Sequence, residues 1–294
     1  MNNPSAPIIF GEVLYDCFPD GSCVLGGAPF NVAWHCQAFG LQPLFISRVG
    51  DDSLGKDVIT AMHDWGMKTE GLQIDSEHAT GRVNVSFNNN EPAYDIVQNS
   101  AWDFIDSQLI PELDKHSVLY HGSLALRNSA AVQNLEVIKK CTSKSIFVDI
   151  NLRSPWWNMS LVNTIIQNSE WLKINDDELN LIVADKMSIE DKARHLLTHL
   201  QLDLIVVTQG ASGAFAMSDN ETCYVQPENT VNVIDTVGAG DAFTSVLLLG
   251  LHKKWPLQET LDRAQQFASK VVGLRGATIQ DINFYNPFIE KWSL

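Results

Sequence analysis

The chain alternates short apolar runs with longer stretches of helical length. The runs Ile8 to Phe10, Leu44 to Val49, Val118 to His121, Ser145 to Ile150, Trp171 to Ile174, Leu204 to Thr208 and Ala214 to Met217 read as strands. Short apolar strands separated by helices predict a mostly parallel sheet covered on both faces, an α/β class. Gly26-Gly27-Ala28-Pro29 opens a helix, with Pro29 suited to its first turn and Gly40 to its end. Leu54 to Trp65 predicts a second helix that stops at Gly66. Ala242 to Leu251 predicts a third, followed by His252, Lys253 and Lys254, where cations suit a helix C-terminus, and closed by Pro256.

Two segments break this pattern. Val13 to Val24 holds Pro19-Asp20-Gly21 as a turn and predicts a hairpin. From Arg82 to Val97, Val83, Val85 and Phe87 alternate with Asn84 and Ser86, Asn88-Asn89-Asn90 supplies a turn, and Ala93 to Val97 returns. That is a hairpin with one apolar and one polar face. Antiparallel hairpins have no place at the centre of a parallel sheet. The expectation is one domain spanning 1–294, with a small β-sheet lid built from about 12–25 and 80–100.

Composition narrows the class. A hydrophobic fraction of 45% and a charged fraction of 19% suit a globular protein, and 294 residues can bury a sizeable core. A net charge of −15 argues against nucleic-acid and anionic-membrane partners. No apolar run approaches the ~20 residues of a membrane span. Met1 to Pro7 lacks the basic start and apolar stretch of a signal peptide, so the expected location is cytoplasmic. Cys17, Cys23, Cys36, Cys141 and Cys223 are odd in number and include no CxxC, so buried or incidental thiols in a reducing compartment are expected. His195 and His199 have i,i+4 spacing but no third ligand near in sequence, so no metal is expected there.

The most informative segment is Asp235-Thr236-Val237-Gly238-Ala239-Gly240-Asp241-Ala242-Phe243. The strand-like stretch Val231 to Ile234 runs into it, and the third predicted helix leaves it. Gly238, Ala239 and Gly240 therefore form the N-terminal edge of a helix, where unpaired backbone N–H groups make an anion site. As a bare string this reads first as a Gly-rich turn with a capping aspartate. A carboxylate beside an anion site opposes phosphate binding, however, so Asp241 is better suited to accept a proton.

Other local patterns are weaker. Gly50-Asp51-Asp52-Ser53-Leu54-Gly55-Lys56-Asp57 nearly matches a phosphate-binding GxxxxGK[ST] loop. Asp57 replaces the hydroxyl, and Asp51 and Asp52 would repel phosphate. A strand-to-helix turn with a capping aspartate is the better reading. Asn175 and Glu178 share one face of a first helical turn; the bare pattern favours a capping box, although such oxygen ligands also suit hydrated Mg²⁺. Thr208-Gln209-Gly210-Ala211-Ser212-Gly213 reads equally as a hairpin turn or a nucleotide-facing loop. Asp149-Ile150-Asn151-Leu152-Arg153 ends a strand, where ligands of open parallel sheets bind.

The nonapeptide resembles the second signature of the ribokinase-like sugar kinases, the PfkB family. Val49-Gly50-Asp51-Asp52 resembles the first signature region, and Gly26-Gly27-Ala28-Pro29-Phe30-Asn31-Val32-Ala33 closely resembles the sugar-binding string of fructokinases. The motifs cover nearly the whole chain in the family's order. The resemblance implies a Rossmann-like α/β domain with a β lid, and ATP-dependent phosphorylation of a sugar hydroxymethyl group. It implies Asp241 as the catalytic base, for which an ordinary aspartate pKa suffices at neutral pH, and Gly238, Ala239 and Gly240 as the anion hole. It places Asp16, Gly26, Gly27, Asn31, Asn151 and Arg153 at the sugar. It places Lys173, Asn175, Thr208, Gly210 and Gly213 at the nucleotide, with Asn175 and Glu178 positioning Mg²⁺-bound water. From Phe267 to Gly276-Ala277 the chain is shorter than in many relatives, where this helix helps hold adenine and a monovalent cation. Carry-over of Ser269 and of a K⁺ site therefore has the thinnest support. Fructose is the favoured sugar, with other ketoses, ribose, nucleosides or a catalytically silent regulator as alternatives. Packing of lid on lid would make a homodimer.

Overall fold

A computed structural model describes residues 5–88, 91–142, 145–227, 237–274 and 276–294. The strands are β1 (Ile8–Phe10), β2 (Leu14–Cys17), β3 (Cys23–Gly26), β4 (Leu44–Gly50), β5 (Leu72–Asp75), β6 (Gly81–Asn88), β7 (Glu91–Ile96), β8 (Leu119–His121), β9 (Ile146–Asp149), β10 (Trp171–Asn175), β11 (Leu204–Thr208), β12 (Ala214–Met217) and β13 (Thr222–Val225). The helices are α1 (Ala28–Ala38), α2 (Ser53–Asp64), α3 (Ser129–Cys141), α4 (Met159–Ile166), α5 (Asp176–Ile182), α6 (Ile189–His199), α7 (Ala239–Lys253), α8 (Leu257–Val271) and α9 (Asn286–Trp292). The strand expected at Val231 to Ile234 and the Asn89-Asn90 turn lie outside the described residues.

The larger sheet runs β13-β12-β11-β10-β9-β8-β1-β4-β5. It is parallel from β11 to β5. β12 and β13 are antiparallel, which corrects the expectation that Ala214 to Met217 joins the parallel set. The connection from Gln209 to Gly213 is too short for a crossover helix, so the chain must turn back on itself. β5 and β13 gave no apolar run in the sequence, because edge strands need not be apolar on both faces.

Alternate side chains of the central strands enter two cores. Ile9 and Val206 pack with α1, α7, α8 and α9 through Phe30, Val246, Phe267 and Trp292. Ile8, Phe10, Ile205 and Val207 pack with α3, α4, α5 and α6 through Leu135, Ile165, Leu179 and Leu196. This two-sided burial is the physical reason the strands read as continuous apolar runs. α7 continues through Gly250 because α8 lies against it; a Cβ there would stand 2.3 Å from Thr260 Cγ2. Parallel strands share one C-terminal edge, and Asp149, Asn175 and Thr208 are the last residues of β9, β10 and β11.

The smaller sheet has the order β3-β2-β6-β7. β2 runs antiparallel to β3 and parallel to β6, and β6–β7 is the expected hairpin. Val83 and Val85 are buried while Asn84 and Ser86 are exposed, as the period-2 pattern requires. Cys17 and Cys23 are register partners, with Cα atoms 4.1 Å apart, and form a disulfide. This corrects the reading of all five cysteines as thiols: the Pro19-Asp20-Gly21 turn places the two opposite each other, which spacing rules for CxxC do not test. Cys36, Cys141 and Cys223 are free. Among the described residues no helix is long and apolar enough to cross a membrane.

Candidate active site

Gly238 caps α7 with φ of +80°, and a Cβ on it would come within 2.4 Å of Ala277 Cβ. Only glycine tolerates both demands. Ala239, Gly240 and Asp241 then fill the first turn of α7, so the predicted helix edge is in place, and Asp241 stands inside the helix rather than capping it. Asp235 and Thr236 lie outside the described residues.

Asp241 is only 9% exposed. Its Oδ2 accepts a 2.7 Å hydrogen bond from Asn31 Nδ2 on α1. Burial lifts the carboxyl to about 6; the Asp149 charge adds to the rise, while the Asn31 hydrogen bond, Lys173 and Arg153 oppose it. The carboxyl thus stands above the ordinary value that would suffice. α7 is apolar from its first turn onward, so the residue that opens it is carried into a poorly solvated place.

Asp149 links this helix to the sheet. Its Oδ2 accepts from Lys173 Nζ at 2.7 Å and from Thr244 Oγ1 at 2.8 Å. Lys173 is its register partner on β10, and all three side chains are buried. A Cβ on Gly240 would stand 3.8 Å from Lys173 Nζ, an ordinary contact that places the ammonium close to the start of α7. Lys173, expected at the nucleotide, thus spends one hydrogen bond on Asp149.

Of the residues expected at the sugar, Asp16, Gly26 and Asn31 meet at the root of the smaller sheet. A Cβ on Gly26 would lie 3.7 Å from Asp16 Oδ2 and 3.8 Å from Asn31 Oδ1, so two acceptors overlook that bare backbone. Asn31 is 4% exposed, and its Oδ1 has no partner among the described residues. Gly27 has φ of +111°, and a Cβ there would strike the Glu12 carbonyl oxygen at 2.6 Å. Asn151 follows β9 with φ of +42°, which asparagine accepts more readily than most residues. Arg153 is exposed, donates to the Leu152 carbonyl at 3.2 Å, and lies near enough to influence both Asp241 and Glu12.

At the other end of the edge, Asn175 and Glu178 form a reciprocal capping box on α5. Glu178 Oε1 also accepts from the Leu152 N–H at 2.7 Å, tying α5 to the loop that carries Arg153. Burial raises the Glu178 carboxyl above its ordinary value. The capping reading is therefore realised. Thr208 pairs in register with Asn175, and Gly210 and Gly213 take φ of +53° and +96° in the turn into β12. Ser269 on α8 accepts from Gln265 and lines a cavity of about 850 Å³ with Val225, Arg263, Lys270 and Trp292. None of the other expected site residues lines that cavity.

Sequence reasoning missed Glu12 and left Asp149 and Thr244 without a role. Glu12 is 4% exposed, yet its only signal is a carboxyl directly after an apolar strand and a glycine. Among the described residues no cluster of three or more His, Cys, Asp or Glu is arranged to hold a metal ion. His195 and His199 merely stack, with ring centroids 5.7 Å apart.

The family described as pfkB family carbohydrate kinase matches residues 15–283. A fructokinase of Vibrio alginolyticus is 28% identical over 277 residues, covering 89% of this chain and 89% of that one. The crystal structure of Vibrio cholerae O395 fructokinase in its fructose, ADP and calcium ion bound form superposes with a TM-score of 0.82 at 26% identity, covering 97% of this chain and 99% of that chain. Xylella fastidiosa fructokinase with bound ATP superposes with a TM-score of 0.88 over the full length of both chains; at 18% identity it speaks for the fold alone.

Proposed function

The chain belongs to the pfkB family of carbohydrate kinases and is a phosphotransferase, and on that premise we propose that it phosphorylates the hydroxymethyl group of D-fructose with ATP, giving fructose 6-phosphate. The observation that carries this reading is the Asn31–Asp241 hydrogen bond. One amide reaches from the Gly26 surface, where Asp16 also points, to a buried carboxylate at a helix N-terminus.

Sugar hydroxyls bind to Asp16 and to Asn31 Oδ1, over the bare backbone of Gly26 and Gly27, with Asn151 and Arg153 at the rim. Asn31 Nδ2 occupies Asp241 Oδ2, which leaves Oδ1 to take the proton of the attacking hydroxyl. The oxygen bonds to the γ-phosphorus, the bond to ADP breaks, and the proton rests on Asp241. Charge on the transferring group meets the N–H groups of Gly238, Ala239 and Gly240. With a pKa of about 6, Asp241 is ionised at neutral pH and remains a stronger base than an ordinary aspartate.

Asn175, Lys173, Thr208, Gly210 and Gly213 face the nucleotide along the edge of β10 and β11. Asn175 and Glu178 would hold, through water, the Mg²⁺ carried on the ATP phosphates, an arrangement that suits hydrated oxygen ligands. When bound, Mg²⁺ neutralises charge on the β- and γ-phosphates. The smaller sheet acts as a lid and as the face of a homodimer.

A panel of sugars and nucleosides assayed for ADP formation at fixed ATP and Mg²⁺ tests the reading. Fructose should give the highest kcat/KM. Preference for ribose, another ketose or a nucleoside would reassign the substrate, and ATP turnover that no acceptor stimulates would point to a silent regulator.

A further inference from the structure

One buried acid beside the catalytic carboxylate has no part in that scheme. Glu12 follows β1 and Gly11, and its Oε2 is fully buried without a hydrogen-bond partner among the described residues. Such a placement is costly and needs a reason. Its carboxyl lies against the backbone N–H of Ala28, the first residue of α1. The N-cap of that helix is Gly27, which has no side chain to offer. The Glu12 carboxyl thus stands outside the helix near the place that a capping side chain would take. Asn31 stands in the first turn of the same helix, and its Nδ2 holds Asp241 at 2.7 Å. Gly27 presses on the Glu12 carbonyl oxygen, so backbone and side chain of Glu12 both bear on the start of α1.

We propose that Glu12 is a positioning residue for phosphoryl transfer: its carboxyl fixes the N-terminus of α1, and thereby aims the Asn31 amide that holds Asp241. The inference rests on the kinase reading above. The groups that face Glu12 are Asp241 from α7, Arg153 from the loop after β9 and Tyr120 from β8. Burial raises Glu12 to about 7, the Asp241 charge adding to the rise, and its backbone hydrogen bonds and Arg153 opposing it. Near neutrality the two carboxyls thus compete for charge.

Glu12→Ala and Glu12→Gln separate the roles when kcat and both KM values are measured across pH with the sugar that the wild type prefers. Glutamine keeps an acceptor for Ala28 and removes the competing charge. Glu12→Ala should lower kcat by roughly 10- to 100-fold with little change in the KM for ATP, the scale set by small misplacements of catalytic groups. Glu12→Gln should restore most of that rate and leave the acidic limb of the kcat profile in place, because Asp241 titrates at about 6 while Glu12 is still neutral. Equal loss in both variants, or a wild-type rate for Glu12→Ala, overturns the proposal. So does a drop in thermal stability that lowers kcat/KM for ATP and sugar alike. A wild type inactive on every acceptor would instead count against the kinase reading, and thermal midpoints of both variants keep a folding defect distinguishable from a lost rate.

Discussion

The surroundings of Asp241 and those of Asp16 are held by different means. Asp241 sits on a long helix buried in the core, tied through Asp149 to Lys173 and Thr244 and through Asn31 to α1. Asp16 sits on a four-stranded sheet braced by strand pairing, one row of buried valines and a cross-strand disulfide. Asp241 is fixed by a network in which each change disturbs several partners. The face that carries Asp16 rests on a thin layer, where changes stay local. Substitutions near Asp241 should therefore cost rate or stability heavily, and those in the smaller sheet should chiefly change sugar affinity.

The largest expected effect is that of Asp241→Asn. Loss of the base should lower kcat by roughly 10²- to 10⁴-fold while ATP and sugar still bind. Stability should move the other way. A carboxyl with a folded pKa of about 6, above its unfolded value of 3.8, contributes stability fully present below the unfolded value and lost as pH rises through the folded one. At pH 7 the variant should thus be more stable by about 1–3 kcal/mol, read from denaturant midpoints. A near-wild-type kcat would remove Asp241 from the mechanism. By the same titration, wild-type kcat should rise with pH through about 6.

Next in size is Lys173→Met. It leaves Asp149 buried with half its partners, and breaking such a pair costs about 3–5 kcal/mol. A shift of the urea midpoint much smaller than this would show that the network around Asp241 is slack.

Asp16→Ala should weaken sugar binding by about 1.5–3 kcal/mol and leave ATP affinity nearly unaltered, as calorimetry with each ligand can measure. Equal losses for both ligands would erase the contrast between the regions.

Smallest is the effect of opening the Cys17–Cys23 disulfide by Cys17→Ser. Closing so short a loop contributes at most about 2–3 kcal/mol. The sugar KM should rise a few-fold and kcat should hold. Hydrogen exchange in 81–96 should quicken, and should slow again on adding sugar. Exchange indifferent to sugar would make this sheet a static part of the fold.

Much of this contrast was legible in the residues. The central strands announced themselves because both faces are buried, and the β6–β7 hairpin because only one is. Gly238 to Asp241 could be placed on a helix edge from the apolar run after it. The edge strands β5 and β13 were invisible, since neither carries a continuous apolar run. Glu12, Asp149 and Thr244 escaped for a different reason. Their roles come from contacts between segments far apart in the chain, such as Thr244 with Asp149, which local patterns do not encode. The Cys17–Cys23 pair lay between: the turn was read, but its consequence for the facing residues was not drawn.

Asn31 offers one end of a single amide to the Gly26 surface and gives the other to Asp241. On the proposed reading, recognition and reactivity share a covalent unit barely two bonds wide. A lineage that altered its sugar preference at this position would change its turnover in the same step. New substrates are more cheaply explored at Asp16 or Arg153, where affinity can drift while the base stays in register. The evolvable part of this enzyme is thus its rim, and the amide at its centre is the point where selection for one property is always selection on the other.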